Sequence, residues 1–180
     1  MSELFEKSIQ VLELPRVLEM LAACAVTAEG KERSLALRPM TDRDDVERAQ
    51  KETSAAVKML ILRGSPGFSG VRPVAASLQR ADMGGSLNTR ELLDIAAVLR
   101  AARSVGEYGA GQEKSAVSHL FQALTPHRLL EESITSSILG EEEIADSASP
   151  ELASIRRHMR ASEAKVRDIL QKLISSNQST

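Results

Sequence analysis

The sequence predicts a mainly α-helical protein, and three observations support this prediction. Apolar residues recur at helical spacing along most of the 180-residue chain. Capping residues, prolines and glycines divide the chain into segments of helical length. Continuous β-branched runs, which a parallel sheet would need, are missing. The expected fold is therefore all-α in the main, with a multi-helix core followed by a long C-terminal helix.

The composition indicates one ordinary domain with an appendage. Apolar residues make up 42% of the chain and charged residues 27%, and the core should be aliphatic because there is no Trp and only one Tyr. A net charge of −2 gives no global attraction to nucleic acid, so such a role needs a local basic strip. Cys24 is the one cysteine, which favours a reducing cytoplasm. No apolar run approaches the roughly 20 residues of a membrane span, so a cytoplasmic location is expected.

The N-terminal part is predicted to contain three helices. The first covers residues 11–25, with Pro15 near its first turn, and Thr27 caps a short second helix that reaches about residue 37. Thr41 or Asp42 opens a longer helix that Gly64 ends. Its spacing predicts a buried stripe made of Val46, Ala49, Thr53, Ala56, Val57 and Leu60.

Residues 64–70 are the sharpest break in the chain. Three glycines and a proline in seven residues cannot continue a helix. The segment is not a Walker loop, because no lysine follows Gly70. A structural turn is the favoured interpretation; the alternative is that its backbone amides, with Arg63 and Arg72, contact a phosphate of a partner.

The central part is predicted to hold the main core helix. A short helix covers residues 72–80, and residues 88–91 then form a capping-box-like start. The helix that follows is apolar on most sides, which is typical of a central element. A short helix around Leu120 and another through about residue 137, opened by Thr125 and Pro126, come next. Between the main helix and Leu120, a flexible connection is predicted from Gly106, Gly109 and Gly111.

The C-terminal part combines a small hairpin with a long arm. Residues 137–146 have two short apolar ends around an acidic turn with a glycine, which predicts a β-hairpin. Ser149 and Pro150 then open the arm. Its apolar residues fall at alternating steps of three and four, with Ser162 in the one remaining position, and form a heptad seam: Leu152, Ile155, Met159, Val166, Ile169 and Leu173. We expect a partner helix from outside this chain to cover the seam.

The sequence offers no recognisable active site. The three histidines lack metal-ligand spacing, and Cys24 has no neighbouring base, so a buried and inert thiol is expected. Adjacent acids such as Asp44 and Asp45 are more typical of a solvated helix start. No catalytic, cofactor-binding or metal site is therefore predicted in this chain.

The arm carries a local excess of positive charge. Residues 151–172 hold six basic and three acidic side chains, a net charge of +3. This strip has two interpretations: a solvated flank of a coiled coil, or a surface near nucleic-acid phosphates. The candidates to face nucleic acid are Arg156, Arg157, Arg160, Lys165 and Arg167.

Several segments occur together in an order that resembles a known family. The resemblance is to the N-terminal part of the second bacterial MutS family, the paralogue that lacks the mismatch-reading front domains. The most specific pieces are the arginine-glycine loop and the start of the arm. The matching segments are LPRVLEMLAA (14–23), EGKE (29–32), LRP (37–39), LRGSPGFSGVR (62–72), LLDIAAVLRAAR (92–103) and DSASPELASIRR (146–157).

The resemblance implies an architecture. Residues 1–147 would be the first half of a helical core domain, and residues 148–180 the ascending lever helix. In the family a DNA clamp, a returning lever helix, the rest of the core, an ATPase and an Smr nuclease domain follow. Their ATP, Mg and nuclease residues map to no position here, so the parent is expected to be the ATPase and endonuclease, and this chain is not.

The resemblance also implies a function. Family members act as homodimeric ATP-driven clamps that bind branched DNA or stalled ribosomes, in suppression of DNA recombination and in rRNA-associated ribosome rescue. This chain would be their non-catalytic scaffold and lever. The alternative from the residues themselves is a free-standing helical adaptor that binds a partner protein through the Leu152–Leu173 seam. A small enzyme that uses the glycine-rich loop is a third hypothesis.

Overall fold

The computed structural model of the chain describes residues 3–68, 70–112 and 114–177, and confirms the mainly helical fold with one short hairpin. The helices are α1 (Glu3–Val11), α2 (Leu14–Cys24), α3 (Ala28–Leu35), α4 (Arg43–Arg63), α5 (Ala75–Asp82), α6 (Thr89–Tyr108), α7 (Ser118–Gln122), α8 (Arg128–Ser137) and α9 (Pro150–Asn177). The strands are β1 (Ile138–Gly140) and β2 (Glu143–Ile144), and a 3-10 turn (Asp146–Ala148) follows them.

The first two helices differ from the prediction. Helix α1 was not predicted, and it lies ahead of the first helix that the sequence analysis identified. The helix predicted over residues 11–25 begins only at Leu14, since Glu13 adopts a left-handed backbone conformation with φ of 53° and separates α1 from α2. Pro15 lies in the first turn of α2, as predicted. Helices α2 and α3 then pack against each other.

The predicted caps of α3 and α4 are confirmed. The Thr27 hydroxyl oxygen accepts a hydrogen bond from the Gly30 amide at 3.1 Å. Asp42, rather than Thr41, caps α4, and its carboxylate accepts from the amides of Asp44 and Asp45 at 2.9 and 3.0 Å. Gly64 ends α4 with φ of 74°. Both helices therefore begin at side chains that satisfy otherwise unpaired amides.

The buried stripe predicted for α4 is largely wrong. Met59, which lies outside that stripe, is the buried apolar residue of this helix, while Val57 and Leu60 are about half exposed. Thr53 and Ala56 are exposed too, and Val46 and Ala49 are only partly covered. Helical spacing shows which face is apolar but not whether a neighbour covers it. The described chain places little against this face.

The core is centred on α6, as predicted. Ile95 and Ala96 of α6 pack with Ile134 of α8 and with Ile138 at the start of β1. The flexible connection predicted at Gly106 is wrong, because α6 continues through it to Tyr108. The break comes at Gly109, where an added side-chain carbon would lie 2.3 Å from the Phe121 ring. Glycine is therefore needed there for close packing.

A buried carboxylate joins α6 to α8. Glu131 is only 6% exposed, and Arg103 donates to both of its oxygens at 3.1 Å while Arg100 donates at 3.2 Å. The hydrogen bond from Arg103 is the main cause that lowers the pKa of Glu131, and the same contact raises the pKa of Arg103. A buried charge with several charge-assisted hydrogen bonds costs much to break. This ion-pair cluster fixes the two helices beside the apolar core.

The hairpin extends the α6–α8 unit. Strands β1 and β2 pair antiparallel, with Ile138 opposite Ile144, which confirms the hairpin predicted from the sequence. The Thr89 hydroxyl at the start of α6 donates to the Glu141 carbonyl at the hairpin turn, and Arg90 lies 3.6 Å from the Glu141 carboxylate. Helix α8 begins at Arg128, two residues after the predicted Pro126, and its Thr125 cap is not formed.

Substitution Glu131→Gln is expected to lower the free energy of unfolding by about 1–3 kcal/mol, because two arginines lose their carboxylate partner. Urea denaturation followed by circular dichroism measures this. Glu132→Gln on the same helix is the matched control. Its exposed pair with Arg128, at 2.7 Å, should contribute less than about 0.5 kcal/mol. Equal losses in both variants would contradict the structural role of Glu131.

Candidate helix-pairing arm

Helix α9, which we call the arm, begins where the sequence predicts. The Ser149 hydroxyl accepts a hydrogen bond from the Leu152 amide at 3.0 Å, and Pro150 is the first helical residue. The arm has 28 residues and spans about 42 Å. The division into residues 1–147 and 148–180 as separate domains stays a prediction.

The apolar seam of the arm is open to solvent. Leu152, at the root, is partly buried. The other five seam residues are between 49% and 57% exposed: Ile155, Met159, Val166, Ile169 and Leu173. All described residues from 161 to 174 are exposed. Leu170 and Ile174, which the heptad pattern did not include, widen the exposed apolar surface near the distal end.

A single carboxylate holds the root of the arm, and we call this contact the root lock. Arg156 donates at 2.6 Å both to the Asp146 carboxylate and to the Ile144 carbonyl. Arg160 donates to the second oxygen of Asp146. Asp146 belongs to the 3-10 turn and Ile144 to the hairpin, so the root lock ties two turns of the arm to the α6–α8 unit.

The root lock is an exposed ion pair. Hydrogen bonds from Arg156 and then from Arg160 lower the pKa of Asp146. The side chains of Asp146 and Arg156 are 47% and 36% exposed, so solvent screens their attraction. The contact therefore contributes more to the direction of the arm than to the overall stability of the fold.

The root lock includes two of the five residues predicted to face nucleic acid. Arg156 and Arg160 are held by Asp146, whereas Arg157, Lys165 and Arg167 are exposed. The predicted nucleic-acid contact stays a prediction for the whole set. Sequence reasoning missed Asp146 as a functional residue. Its partners lie 10 and 14 positions away, beyond the three- and four-residue spacing that a helix makes visible.

The glycine-rich loop is held by the ends of α4 and α6. Arg63 donates to the carbonyls of Tyr108 and Ala110 at 2.6 and 2.9 Å, and the Tyr108 hydroxyl donates to the Gly64 carbonyl at 2.9 Å. The other arginine of this loop, Arg72, lies 3.6 Å from the Asp94 carboxylate. Both arginines thus have partners within the chain, which supports the structural interpretation over a phosphate contact.

The remaining candidate groups show no assembled chemistry. Cys24 is exposed, so the expectation of a buried thiol is wrong, and its sulfur lies 3.5 Å from the Met20 carbonyl one helical turn earlier. Among the residues that the structure describes, no group of three or more His, Cys, Asp or Glu could hold a metal ion. No helix in that part of the chain is long and apolar enough to cross a membrane. The predicted lack of a catalytic or cofactor site stays a prediction.

We expect the Asp146 carboxyl to titrate below its ordinary pKa of 3.8. A pKa that is lower in the folded state means that the root lock is complete above pH 3.8 and is lost as the pH falls through the folded value. Carbon-detected NMR titration of Asp146 measures this. In the Arg156→Gln/Arg160→Gln variant the midpoint should rise toward 3.8. Arg157→Gln, which removes the same type of charge without touching Asp146, should leave it unchanged; an equal shift in both would disprove the lock.

Comparison with known proteins places this chain among bacterial relatives. No family model matches it. It is 41% identical over 177 residues to "Endonuclease MutS2" of Acetivibrio thermocellus, a match that covers 96% of this chain and 22% of the relative. The proteins of the same name from Ruminiclostridium cellulolyticum and Agathobacter rectalis are 41% and 38% identical, with 95% and 96% of this chain and 22% of each relative covered.

The chain spans about 22% of the length of these relatives. Nearly all of its residues take part in the match, including both the α6–α8 unit and most of the arm. This agrees with the segments on which the resemblance was based. The chain is therefore similar over nearly its whole length to these MutS2 proteins, and the match is consistent with an N-terminal segment of them.

Proposed function

We propose that this chain is the non-catalytic scaffold and lever of a MutS2-type, ATP-driven clamp protein. One observation carries the proposal: the arm is locked at its root and exposes a heptad seam along its length. A helix of this kind is built to pair with another helix. Its fixed root allows the pairing to transmit force to the folded part of the chain.

The contacts at the root support a mechanical role. The apolar core and the buried Glu131 hold α6 and α8 together. The start of α6 holds the hairpin turn at Glu141, and the hairpin and 3-10 turn hold the arm through Ile144 and Asp146. A continuous series of contacts thus runs from the core to the arm, which suits a lever and its mount.

The exposed apolar seam suits burial by a second helix that runs back along the arm. Each aliphatic side chain of the seam that moves from half exposed to buried would contribute about 1 kcal/mol. The lever helix that returns in the parent protein is the proposed partner. The clamp and the ATPase would be connected to this chain through it.

The same proposal covers the activity, cofactors, oligomeric state and targets of the parent protein. The relatives are named as endonucleases, and we propose that the parent is an ATPase and endonuclease that uses ATP and Mg and carries an Smr domain. It would act as a cytoplasmic homodimer on branched DNA or on stalled ribosomes. Suppression of recombination and ribosome rescue would be its roles, with this chain contributing no reacting group.

A free-standing helical adaptor is the second candidate function, and the exposed seam alone would fit it equally well. The coding frame distinguishes the two. A frame that continues beyond Thr180 into a Walker motif would exclude the adaptor, whereas a natural stop codon after Thr180 would favour it over the lever.

The lever function is tested by complementation between two parts of one protein. The chain is co-expressed with the complementary remainder of the Acetivibrio thermocellus relative, and association is measured by affinity capture. The Ile155→Asp/Ile169→Asp variant should lose capture by at least about tenfold, because two charges would enter the apolar contact. Ala164→Asp/Gln171→Asp, on the opposite face of the arm, is the matched control and should be captured normally. Unchanged capture of the seam variant would refute the lever.

Nucleic-acid contact is tested by a salt titration of binding to four-way junction DNA and to ribosomes. Replacing Arg157, Lys165 and Arg167 by Gln should reduce the slope of log affinity against log salt by up to about 3. The Arg156→Gln/Arg160→Gln variant is the control and should change the slope less, because Asp146 already pairs these arginines. An unchanged slope in the triple variant would remove these residues from the interface.

A further inference from the structure

The two arginines of the root lock bind an oxyanion that belongs to the chain itself. Arg156 donates to one carboxylate oxygen of Asp146 at 2.6 Å, and Arg160 donates to the other. Guanidinium groups on both oxygens of one anion are also how proteins bind phosphate. We propose that Arg156 and Arg160 form a phosphate-binding site that Asp146 keeps occupied, and that a phosphate of bound nucleic acid displaces Asp146 and releases the arm. This inference rests on the nucleic-acid contact proposed above and adds its regulation.

The arm beyond the root lock carries the charge that such a ligand needs. Residues 156–167 include five basic side chains and one acidic side chain, Glu163. Arg167 is exposed and follows Arg160 by seven residues, which places it on nearly the same face of the helix, about 10 Å further along. A phosphate backbone that lies along this face contacts Arg167 and then reaches Arg160 at the root.

The contact with Asp146 is open to a competing anion. The Arg160 side chain is 65% exposed and the Asp146 side chain is 47% exposed. An exposed ion pair contributes little, because water and salt screen the attraction. A guanidinium that moves from a carboxylate to a phosphate keeps a charge-assisted hydrogen bond, and release of counterions from the nucleic acid favours the exchange. Asp146 therefore lowers the affinity for nucleic acid without abolishing it.

Displacement of Asp146 changes how the arm is held. Asp146 belongs to the 3-10 turn and Ile144 to the hairpin, and both accept hydrogen bonds from the first turns of the arm. When a phosphate binds Arg156 and Arg160 instead, the arm is held by the backbone at residue 149 and by the partly buried Leu152. Phosphate binding and the direction of the arm are thus coupled, and this coupling acts in both directions.

Binding to a four-way DNA junction and to an RNA junction of the same sequence tests the occupied site. Asp146→Asn should bind about tenfold more tightly than the original sequence at about 0.1 M salt, and the slope of log affinity against log salt should steepen by up to about 2. The matched control is Glu151→Gln, which removes the same charge from an exposed position in the first turn of the arm. It should change the affinity by less than about threefold. The probe that shows the gain identifies DNA or RNA as the source of the phosphate.

The gain in affinity must come from the two arginines. In the Arg156→Gln/Arg160→Gln background, Asp146→Asn should have no more effect than Glu151→Gln, because no arginine remains to be freed. A gain that persists in this background would overturn the site. So would the lack of a gain in Asp146→Asn when the original sequence binds, and in that case the proposed nucleic-acid contact stands. If neither chain binds either probe, both proposals fail.

A distance measurement tests release of the arm. Spin labels are attached at Ser136→Cys on α8 and Ala164→Cys on the arm, in the Cys24→Ser background, and the distance between them is measured by pulsed electron paramagnetic resonance. The distribution should broaden in Asp146→Asn and, in the chain that keeps Asp146, on addition of the junction that binds. Glu151→Gln alone should leave it narrow. A distribution that stays narrow with the junction bound would overturn the coupling.

Discussion

The direction of the arm depends on one carboxylate. Asp146 holds two arginines that lie one helical turn apart, and Arg156 also reaches the hairpin carbonyl of Ile144. The described side chains from 161 to 174 are exposed, so without the root lock the arm would be held mainly by the backbone at residue 149 and by the partly buried Leu152. Two contacts on successive turns restrict both the tilt and the rotation of the helix. The seam therefore presents a defined face to whatever covers it.

The parts of the fold that the sequence predicts well are those set by local chemistry. Thr27, Asp42, Asn88 and Ser149 each accept a backbone hydrogen bond at the start of a helix, as their residue types and positions indicate. The long C-terminal helix and the hairpin have short-range patterns as well, and both are present in the structure. The break between α1 and α2 was missed because Glu13, which separates them, is not a residue type that favours positive φ.

The parts that could not be predicted depend on distant contacts. The apolar spacing of α4 indicated a buried stripe, yet Val57 and Leu60 are about half exposed because the described chain places little on that face. The root lock and the Glu131 cluster each join residues that lie well outside local helical spacing. A single sequence does not show which distant residue a charged side chain pairs with, because only folding brings the two residues together. The apolar spacing along the arm was thus predictable from the sequence. The contact of Asp146 with Arg156 and Arg160 at the start of the arm was not.

Two carboxylates with the same chemistry lie at different depths, and the difference fits the proposed roles of scaffold and lever. Glu131 and Asp146 each bind two arginines, but the Glu131 side chain is 8% exposed inside the α6–α8 unit, whereas the Asp146 side chain is 47% exposed at the root of the arm. Breaking the first leaves buried charges unpaired, which is costly. Breaking the second exposes its charges to water at little cost. A lever needs a folded unit that resists deformation, and Glu131 helps to provide this in the α6–α8 unit. It also needs a contact at its root that can break without unfolding that unit, and the root lock fits this need.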